Sequence, residues 1–441
     1  MDSDNFMTLV YNGHIYSVKG EEMVEIPDFT IPMPLPEISI PYGSLNMPID
    51  IDYFQAKKGK IDFSFESSHM EDLDVVIEVK NLSKNGQSLK IQTQATNTGS
   101  SPVQVSGTEN LTDYVMQFVT GQIDVEYVAT NANGDERILD NVMLEFSDFE
   151  YDFVQGYFDQ YQFDLDEDEI VIDLFENSTS GSIRVEDPRI NLVITNSFGV
   201  PIQITADALS ATTVNGGTMA ITSPLDNGFN FNYPSLSEVG EAKTSTISIN
   251  NNTSNIVDLI ENSPQAIQFE LSAMTNPTSD PTIRGFVKDD SQFDINVEVE
   301  VPMHLSASNF KIENTSDFDA SVFEEVDEAE FKLFVENGLP VEAGVQVFFV
   351  DDAGTVLASL FDATTDLIVA APVDADGRVM DFSTGEQVVT LGPDKISQIK
   401  DATQITIEGT ASTTNNGTTA VKFYTDYGMT FKLGAKAKVS N

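Results

Sequence analysis

Apolar and polar residues alternate with a period of two along most of the chain after residue 60. Successive side chains of a β-strand point to opposite faces, so this period indicates strands that bury one face. The clearest runs are VIEVK at 76–80, IDVEYVAT at 123–130, INLVITN at 190–196, FDINVEVEV at 293–301 and FKLFVEN at 331–337. Groups of Asn, Asp and Gly separate such runs, for example at 131–134 and 215–217, because these residues tolerate the positive φ of hairpin turns. The pattern predicts an all-β fold.

Two short signatures occur three times each along the chain. The first is an acidic pair followed by a strand-like run and an Asn: Glu71-Asp72 to Asn81, Glu186-Asp187 to Asn196, and Asp327-Glu328 to Asn337. The second is an Ile, a Glu three residues later and an Ala three after that: Ile123/Glu126/Ala129, Ile267/Glu270/Ala273 and Ile405/Glu408/Ala411. The repetition predicts one β module used three times. The acidic pairs would form either an acidic stripe for a partner or charged protection of strand edges.

One short helix is predicted in each module, just before the second signature. The three segments are 112–119, 254–261 and 393–401, and each opens with Thr, Ser or Pro. Ser and Thr cap helix N-termini, and Pro is tolerated at the first helical position because its missing N–H has no partner there.

Residues 1–60 differ from the rest of the chain because six of the 18 prolines fall between residues 27 and 48. Proline fixes φ and lacks an N–H, so this segment is extended and cannot be a central strand. It is interpreted as a strap along the first module, as an arm that docks a partner through Pro32, Pro34, Pro36 and Tyr42, or as a spacer from a membrane anchor. The predicted division is an arm at 1–60 and modules at 61–170, 171–305 and 306–441.

Two passages carry a resemblance to a known family. NLVITNSFGVPIQI at 191–204 and LFVENGLPVEAGVQVFFV at 333–350 each place an Asn and a Pro-containing turn after a strand. This resembles the β-sandwich of late-embryogenesis-abundant, water-stress and hypersensitive-response proteins. The resemblance implies immunoglobulin-like sandwiches with one helix each; it is weaker in the first module, where no Pro follows Asn81. In composition the whole chain also resembles uncharacterised exported lipoproteins of Gram-negative bacteria.

Charge and composition narrow the range of functions. With 71 acidic and 22 basic residues the net charge is −49, which excludes binding to nucleic acid or anionic lipid through a basic surface. The chain has no cysteine, which excludes disulfides, thiol nucleophiles and cysteine-bound zinc. The acidic start MDSDNFMTLV is not a signal peptide. We expect an exported protein in which Met1 replaces a removed signal or lipidated leader; a cytoplasmic location stays open.

The densest chemical feature is a run of eight aromatic residues between Phe146 and Phe163, followed by acids. Three interpretations stand: the rings fill a core, the acids Asp164, Asp166 and Asp168 bind Ca²⁺, or the rings form a glycan platform. The absence of Trp weakens the glycan interpretation. The chain has only three histidines, far apart, so no histidine metal site or Ser-His-Asp triad is expected. No cofactor is expected, with calcium as the open alternative.

The sequence therefore predicts three tandem immunoglobulin-like β-sandwiches behind a Pro-rich arm. The expected function is that of a non-enzymatic exported protein, a cell-surface or outer-membrane-associated lipoprotein that serves as scaffold or subunit of a membrane protein assembly. The alternative is a ligand-binding protein for a glycan or an apolar molecule. An enzyme, which would rest only on abundant carboxylates, is the weakest hypothesis.

Overall fold

Strands make up 59% of the chain and helices 8%, which confirms the prediction of an all-β, sandwich-type fold. The computed structural model describes residues 5–439 apart from 46, 48, 119–120, 166–167, 176–177 and 363–364. Three α-helical segments and five short 3₁₀ segments accompany the strands in this part of the chain. The 3₁₀ segments are Tyr42–Leu45, Asp173–Phe175, Pro224–Asn227, Leu236–Glu238 and Ala320–Phe323.

The strands are numbered in chain order. The first 157 residues contain β1 Thr8–Lys19, α1 Gly20–Met23, β2 Phe29–Met33, β3 Glu37–Pro41, β4 Asp50–Ser67, β5 Leu73–Lys84, β6 Gln87–Ala95, β7 Val103–Asn110, β8 Val115–Gln117, β9 Gln122–Thr130, β10 Glu136–Arg137 and β11 Asp140–Tyr157. The next stretch contains β12 Gln162–Asp164, β13 Asp168–Val171, β14 Ser178–Val185, β15 Arg189–Asn196, β16 Ile202–Thr213, β17 Thr218–Ala220, β18 Phe229–Asn230, β19 Lys243–Ile249, α2 Ile256–Glu261, β20 Pro264–Thr275, β21 Gly285–Lys288 and β22 Gln292–Pro302. The last contains β23 His304–Asp317, β24 Val326–Asn337, β25 Val341–Val350, β26 Val356–Ser359, β27 Thr365–Ile368, β28 Ser383–Leu391, α3 Pro393–Ile399, β29 Gln404–Thr413, β30 Val421–Lys422 and β31 Met429–Val439.

Three sets of strands follow the same order of pairing. In the first set the neighbours are β2-β11-β4-β7, and in the second they are β1-β22-β15-β19. The third set has β31-β24-β28. Each of these sheets has a companion: β3-β9-β5-β6 in the first set, β20 between β16 and both β12 and β13 in the second, and β23-β29-β25-β26 in the third. All of these pairings are antiparallel, so each set has the pairing pattern of a two-sheet sandwich.

The N-terminal segment supplies strands to two of the three sets. β2 and β3 pair with β11 and β9 of the first set, and β1 pairs with β22 of the second set over eleven residue pairs. Before β1, the amide of Met7 donates to the carbonyl of Phe423 in the third set at 3.1 Å. β1 and β2 are edge strands, which agrees with the prediction that the Pro-rich segment is extended and not central.

The predicted boundaries between modules fall inside strands. β4 runs across residue 60, β13 across residue 170 and β23 across residue 305. In addition, β14, placed by the prediction in the second module, pairs with β23 of the third set. The division at 61–170, 171–305 and 306–441 therefore stays a prediction, while strand pairing links the three sets across each boundary.

The helices α2 and α3 confirm two of the three predicted helices, and the first is replaced by a strand. Asp113 has a φ of +65°, in the left-handed region that interrupts a right-handed helix. The strand β8 follows and pairs with both β4 and β5, joining the two sheets of the first set. Residue 119, the predicted end of this helix, lies outside the described residues.

A buried polar side chain ends the equivalent strand of each set. Asn196 ends β15 and Asn337 ends β24, and each side-chain oxygen accepts a hydrogen bond at 2.8 Å from the amide two residues later. In the first set the equivalent strand is β4, not β5: it ends at the buried Ser67, whose hydroxyl accepts from the amide of His69 at 3.3 Å. Asn81 therefore lies in a strand that is not equivalent to β15 and β24, which corrects the alignment of the first repeat.

These strand-end residues lead to a stability prediction. Asn337 is 1% exposed, and its amide also donates to the carbonyls of Leu339, Val341 and Val369 at 2.8–3.1 Å. We expect Asn337→Ala to lower the free energy of unfolding by about 3 kcal/mol, because buried carbonyls lose their donor. The half-exposed Asn81 is the control, and Asn81→Ala should cost about 1 kcal/mol or less. Urea unfolding followed by far-UV circular dichroism measures both, and equal losses would contradict this account.

Candidate binding surfaces

The four residues predicted to dock a partner separate into two groups. Pro32, Pro34 and Pro36 are exposed around the end of β2. Tyr42 is buried: its hydroxyl donates to the carbonyl of Ile49 at 2.5 Å and accepts from the amide of Ile51 at 3.2 Å. Burial also raises the pKa of Tyr42 well above its usual value. The structure thus corrects the assignment of Tyr42, which is a core residue of the first set.

The proposed calcium ligands are only partly described. Asp166 and the side chain of Asp164 lie outside the part of the chain that the structure describes. Asp168 begins β13, and its side chain accepts a hydrogen bond from the amide of Glu169 at 2.8 Å. In the described part of the chain no group of three or more His, Asp or Glu side chains is arranged to hold a metal ion. Calcium binding by these residues stays a hypothesis.

Most of the described aromatic residues between Phe146 and Tyr161 pack against other rings or lie in the core. Phe146 and Tyr151 are buried in β11, and Phe158 is buried just after it. Phe153 stacks on Phe286 of β21, with the ring centroids 5.7 Å apart. Rings packed in this way cannot form a flat platform for sugar rings, so this segment supports the core interpretation.

A cleft of about 700 Å³ lies where the second set meets the third. Its lining comes from four separate segments: the N-terminal stretch, the start of β15, the junction of β22 and β23, and β30 with the residues after it. The lining residues are Phe6, Met7, Thr8, Val10, Asp187, Arg189, Glu300, Pro302, His304, Lys422, Tyr424 and Thr425. Hydrogen bonds of 2.9 Å from the amides of Met303 and Phe423, to the carbonyls of Met7 and Met303 respectively, hold three of these segments together.

One wall of the cleft carries paired charges. Arg189 is ion-paired with Asp187, and one of its nitrogens lies 3.7 Å from Glu300. Burial, together with the hydrogen bond and charge of the neighbouring Glu298, raises the pKa of Glu300 above its usual range. His304 also lines the cleft, and burial and the nearby ammonium of Lys422 lower its pKa.

Two aromatic rings also line the cleft. The rings of Phe6 and Tyr424 meet edge to face with centroids 5.8 Å apart. The guanidinium of Arg378 lies 4.4 Å from the centroid of Tyr424, a cation–π contact, and 3.7 Å from Asp426. Cations, carboxylates and aromatic faces together suit a polar organic ligand. Sequence reasoning missed this cleft because the lining residues lie in segments far apart in the chain.

A second surface is the outer edge of β31 in the third set. On its inner side β31 pairs with β24, and no strand pairs with its outer side among residues 5–439 as described. Lys432, Lys436 and Lys438 occupy one face of β31, and all three are exposed. On the other face Ala435, Ala437 and Val439 are also exposed, and Val439 has 55% of its surface accessible. This edge combines open backbone groups, exposed apolar side chains and positive charge.

The acidic pairs of the repeated signature make local contacts instead. Glu71 pairs with Arg137 at 2.5 Å and accepts a hydrogen bond from Asn131, and these two contacts lower its pKa. Asp187 pairs with Arg189 in the cleft. Two of the three pairs therefore engage an arginine of their own strand set.

Comparisons with known proteins assign no family. No family model matches the chain, and no curated protein matches it. A solved structure described as a "putative secreted protein" of Parabacteroides distasonis shares 15% identity, covers 65% of this chain and 89% of its own, and has a TM-score of 0.32. The VP2 subviral particle of infectious bursal disease virus shares 8% identity over 95% of this chain and 82% of its own, with a TM-score of 0.16. Likenesses this weak carry no argument about function. None of the helices in the described residues is long and apolar enough to cross a membrane.

The core position of Tyr42 gives a first prediction for these surfaces. Removing its hydroxyl in Tyr42→Phe should lower the free energy of unfolding by about 1–2 kcal/mol, because the Ile49 carbonyl and the Ile51 amide lose their partner. Tyr233, which is exposed, is the control, and Tyr233→Phe should change stability by less than about 0.5 kcal/mol. Thermal unfolding measures both. If Tyr42→Phe leaves the stability unchanged, the account of Tyr42 as a residue that stabilises the core through its hydroxyl is contradicted.

The raised pKa of Glu300 gives a pH-dependent prediction. A glutamate whose pKa rises on folding favours the folded state at low pH, and this contribution is lost as the pH rises from about 4.3 through the raised value. Glu300→Gln keeps an acceptor for Asn191, which donates to Glu300 at 3.1 Å, and removes the charge beside Glu298. We expect a gain of about 0.5 kcal/mol at pH 7.5 and no gain at pH 4.

The control for this prediction is Glu336→Gln, which removes one charge from an exposed strand position. Melting temperatures at pH 4 and 7.5 are compared between the two variants, so that the general effect of the net charge cancels. A gain that is the same at both pH values would contradict the account of Glu300.

Proposed function

We propose that this chain is a non-enzymatic exported protein that acts as a scaffold or subunit of a protein assembly at the cell surface or outer membrane. The observation that carries the proposal is the open edge of β31. The last strands of the first and second sets are each covered by a strand of the N-terminal segment, whereas the last strand of the third set has no cover in the described chain. A protein built by adding strands to sheet edges is suited to bind another protein in the same way.

The charge and composition support an exported setting with a protein partner. A net charge of −49 repels nucleic acid and anionic membranes, so neither is a favourable partner. Attachment through a lipid on a processed N-terminus is part of the proposal and is tested separately from the assembly. Its test is mass spectrometry of the N-terminal peptide of protein isolated from the native host.

The cleft between the second and third sets favours a second candidate, a ligand-binding protein for a glycan or another polar organic molecule. The rings of Phe6 and Tyr424, the paired charges around Arg189 and a volume of about 700 Å³ support it. Native mass spectrometry of protein isolated from the host distinguishes this candidate, because a bound small molecule adds a discrete mass.

Cell fractionation is the test of the first proposal. The protein is tagged in its native host, the membranes are solubilised, and co-purifying proteins are quantified against a tagged soluble protein. We expect the chain in the envelope fraction with a partner in constant stoichiometry. Recovery in the cytoplasm, or in the envelope with no partner, would contradict the proposal.

A further inference from the structure

The strand position beside the last strand is filled in two sets and open in the third. β1 pairs antiparallel with β22 over eleven residue pairs, and β2 pairs antiparallel with β11 over five. β22 and β11 correspond to β31, because all three pair with the first long strand of their sheet: β15, β4 and β24. In the described part of the chain the equivalent of β1 and β2 is missing from the third set.

The inner face of β31 is more exposed than that of β22, as expected if a neighbouring strand is missing. In β22 the inward residues Ile295, Val299 and Val301 are at most 1% exposed. In β31 the inward positions 435, 437 and 439 are exposed, although Ala437 lies opposite the buried Ala329 of β24. The third set also has a divided core, with one cluster around Leu391 and Ile399 and a separate one around Val335 and Ile368.

The strands that fill the other two sets show what an occupant must bring. β2 buries Phe29, Ile31 and Met33, three alternate residues, while Thr30 and Pro32 between them are exposed. An occupant of the third set needs the same alternation of apolar residues on its inner face. Because β31 has eleven residues, up to about ten residues of an added strand can pair with it.

The lysines of β31 determine which residue types suit the outer face of an added strand. Lys436 lies opposite Glu330 on β24, with 3.4 Å between the charged atoms, and the ammonium of Lys432 lies 5.4 Å from the ring centroid of Phe334. Directly opposite residues of adjacent strands have Cβ atoms about 5 Å apart, so an added strand brings its outward side chains beside Lys432, Lys436 and Lys438. Asp or Glu at those positions would be attracted by the three lysines. The negative charge of the rest of the chain opposes this attraction only weakly, because salt screens charges that lie more than about 10 Å away.

A second copy of this chain does not fit the edge through its own β31. All three lysines are at even positions, and an antiparallel β31–β31 pair that keeps the odd positions inward places the lysine faces side by side. Like charges opposite one another destabilise a strand pair. The charge pattern therefore favours a different strand with acidic outward residues.

We propose that β31 accepts, antiparallel, an extended segment of a partner protein with apolar residues at alternate positions and Asp or Glu between them. The added strand continues the sheet beyond β31 and covers Ala435, Ala437 and Val439. This inference rests on the proposed function, since it names the chemistry of the partner in the assembly. Lysines on an edge strand can also serve to prevent unwanted pairing with other chains. If that is their only role in β31, no added strand will bind there.

The test uses the full chain and three synthetic eleven-residue peptides. The first alternates Val or Ile with Asp or Glu, the second has Lys in place of each acid, and the third has the composition of the first in a non-alternating order. We expect the acidic alternating peptide to bind at least about tenfold more tightly than either comparison peptide. Hydrogen exchange should slow within residues 429–439, because the outward amides gain partners. Equal affinity for all three peptides, or no binding, would overturn the proposal.

A variant identifies the lysines as the source of selectivity. Lys432, Lys436 and Lys438 are changed together to Gln, which retains polar side chains and avoids placing new acids opposite Glu328 and Glu330. The matched control changes Lys58, Lys84 and Lys90, three exposed or half-exposed lysines of the first set, and has the same net charge. We expect affinity for the acidic peptide to fall about tenfold in the edge variant and to stay unchanged in the control. A similar loss in both variants would contradict selection by the edge.

Two measurements separate this inference from the proposed function. Sedimentation of the full chain reports self-association, and a dimer that protects the amides of residues 429–439 from hydrogen exchange and blocks binding of the acidic peptide would show that a second copy occupies the edge, overturning the inference. If the host protein co-purifies with a partner in constant stoichiometry but the peptides do not bind, the strand chemistry is wrong and the assembly function stands. If the acidic peptide binds but the host protein is cytoplasmic and has no partner, the cellular assignment fails and the edge stands.

Discussion

Hydrogen bonding at sheet edges is the constraint on which this structure depends. Every strand at an edge carries amides and carbonyls that need a partner, and exposed edges invite pairing with other chains. The N-terminal segment supplies such a partner in two places, because β1 covers β22 and β2 covers β11 and these two strands then form the sheet edges. The side chains of β2 show that the same strands also complete the core: Ile31 and Met33 are almost fully buried. Edge pairing and core packing are thus satisfied by the same residues.

The course of the N-terminal segment follows from this double role. It contacts the third set at Met7, pairs with the second set through β1 and reaches the first set through β2 and β3. Arg284, just before β21, adds a further link within the same region, because its guanidinium holds Asp52 of β4 at 2.5 Å. The cleft at the junction of the second and third sets is a consequence of this path, since Phe6 and Met7 form part of its lining. One extended segment therefore contributes both to the connection between the sets and to the lining of the cleft.

Sequence reasoning succeeded where the signal is local and failed where it depends on distant partners. The period-two alternation predicted strands such as β15, β22 and β24, because it records which face of a strand is buried. The helix predicted near residue 112 failed because β8 gains two neighbours, β4 and β5, which no local pattern contains. Asn81 matched Asn196 and Asn337 in spacing, yet Ser67 performs their role in the first set. A serine at the end of a strand is too common to reveal that equivalence without the pairing order.

The candidate surfaces illustrate the same limit. The exposure of Pro32, Pro34 and Pro36 agrees with the rigid, donor-poor character of proline, whereas the burial of Tyr42 depends on its contact with Phe118, which lies far along the chain. The open edge of β31 is visible only once β1 and β2 have been assigned to their partners, because an edge is defined by the absence of a neighbour in the described structure.

The position of the open edge has a consequence for folding. The first two sets share one continuous core that includes residues from β1 and β2, so they contain the strands that complete them. The third set has a divided core and leaves part of the inner face of β31 exposed. A partner strand that binds only the folded third set would stabilise it by an amount that grows with the logarithm of its concentration relative to its dissociation constant. In such an arrangement the third set reaches its full stability only within the assembly, whereas β1 and β2 already cover β22 and β11 in the other two sets.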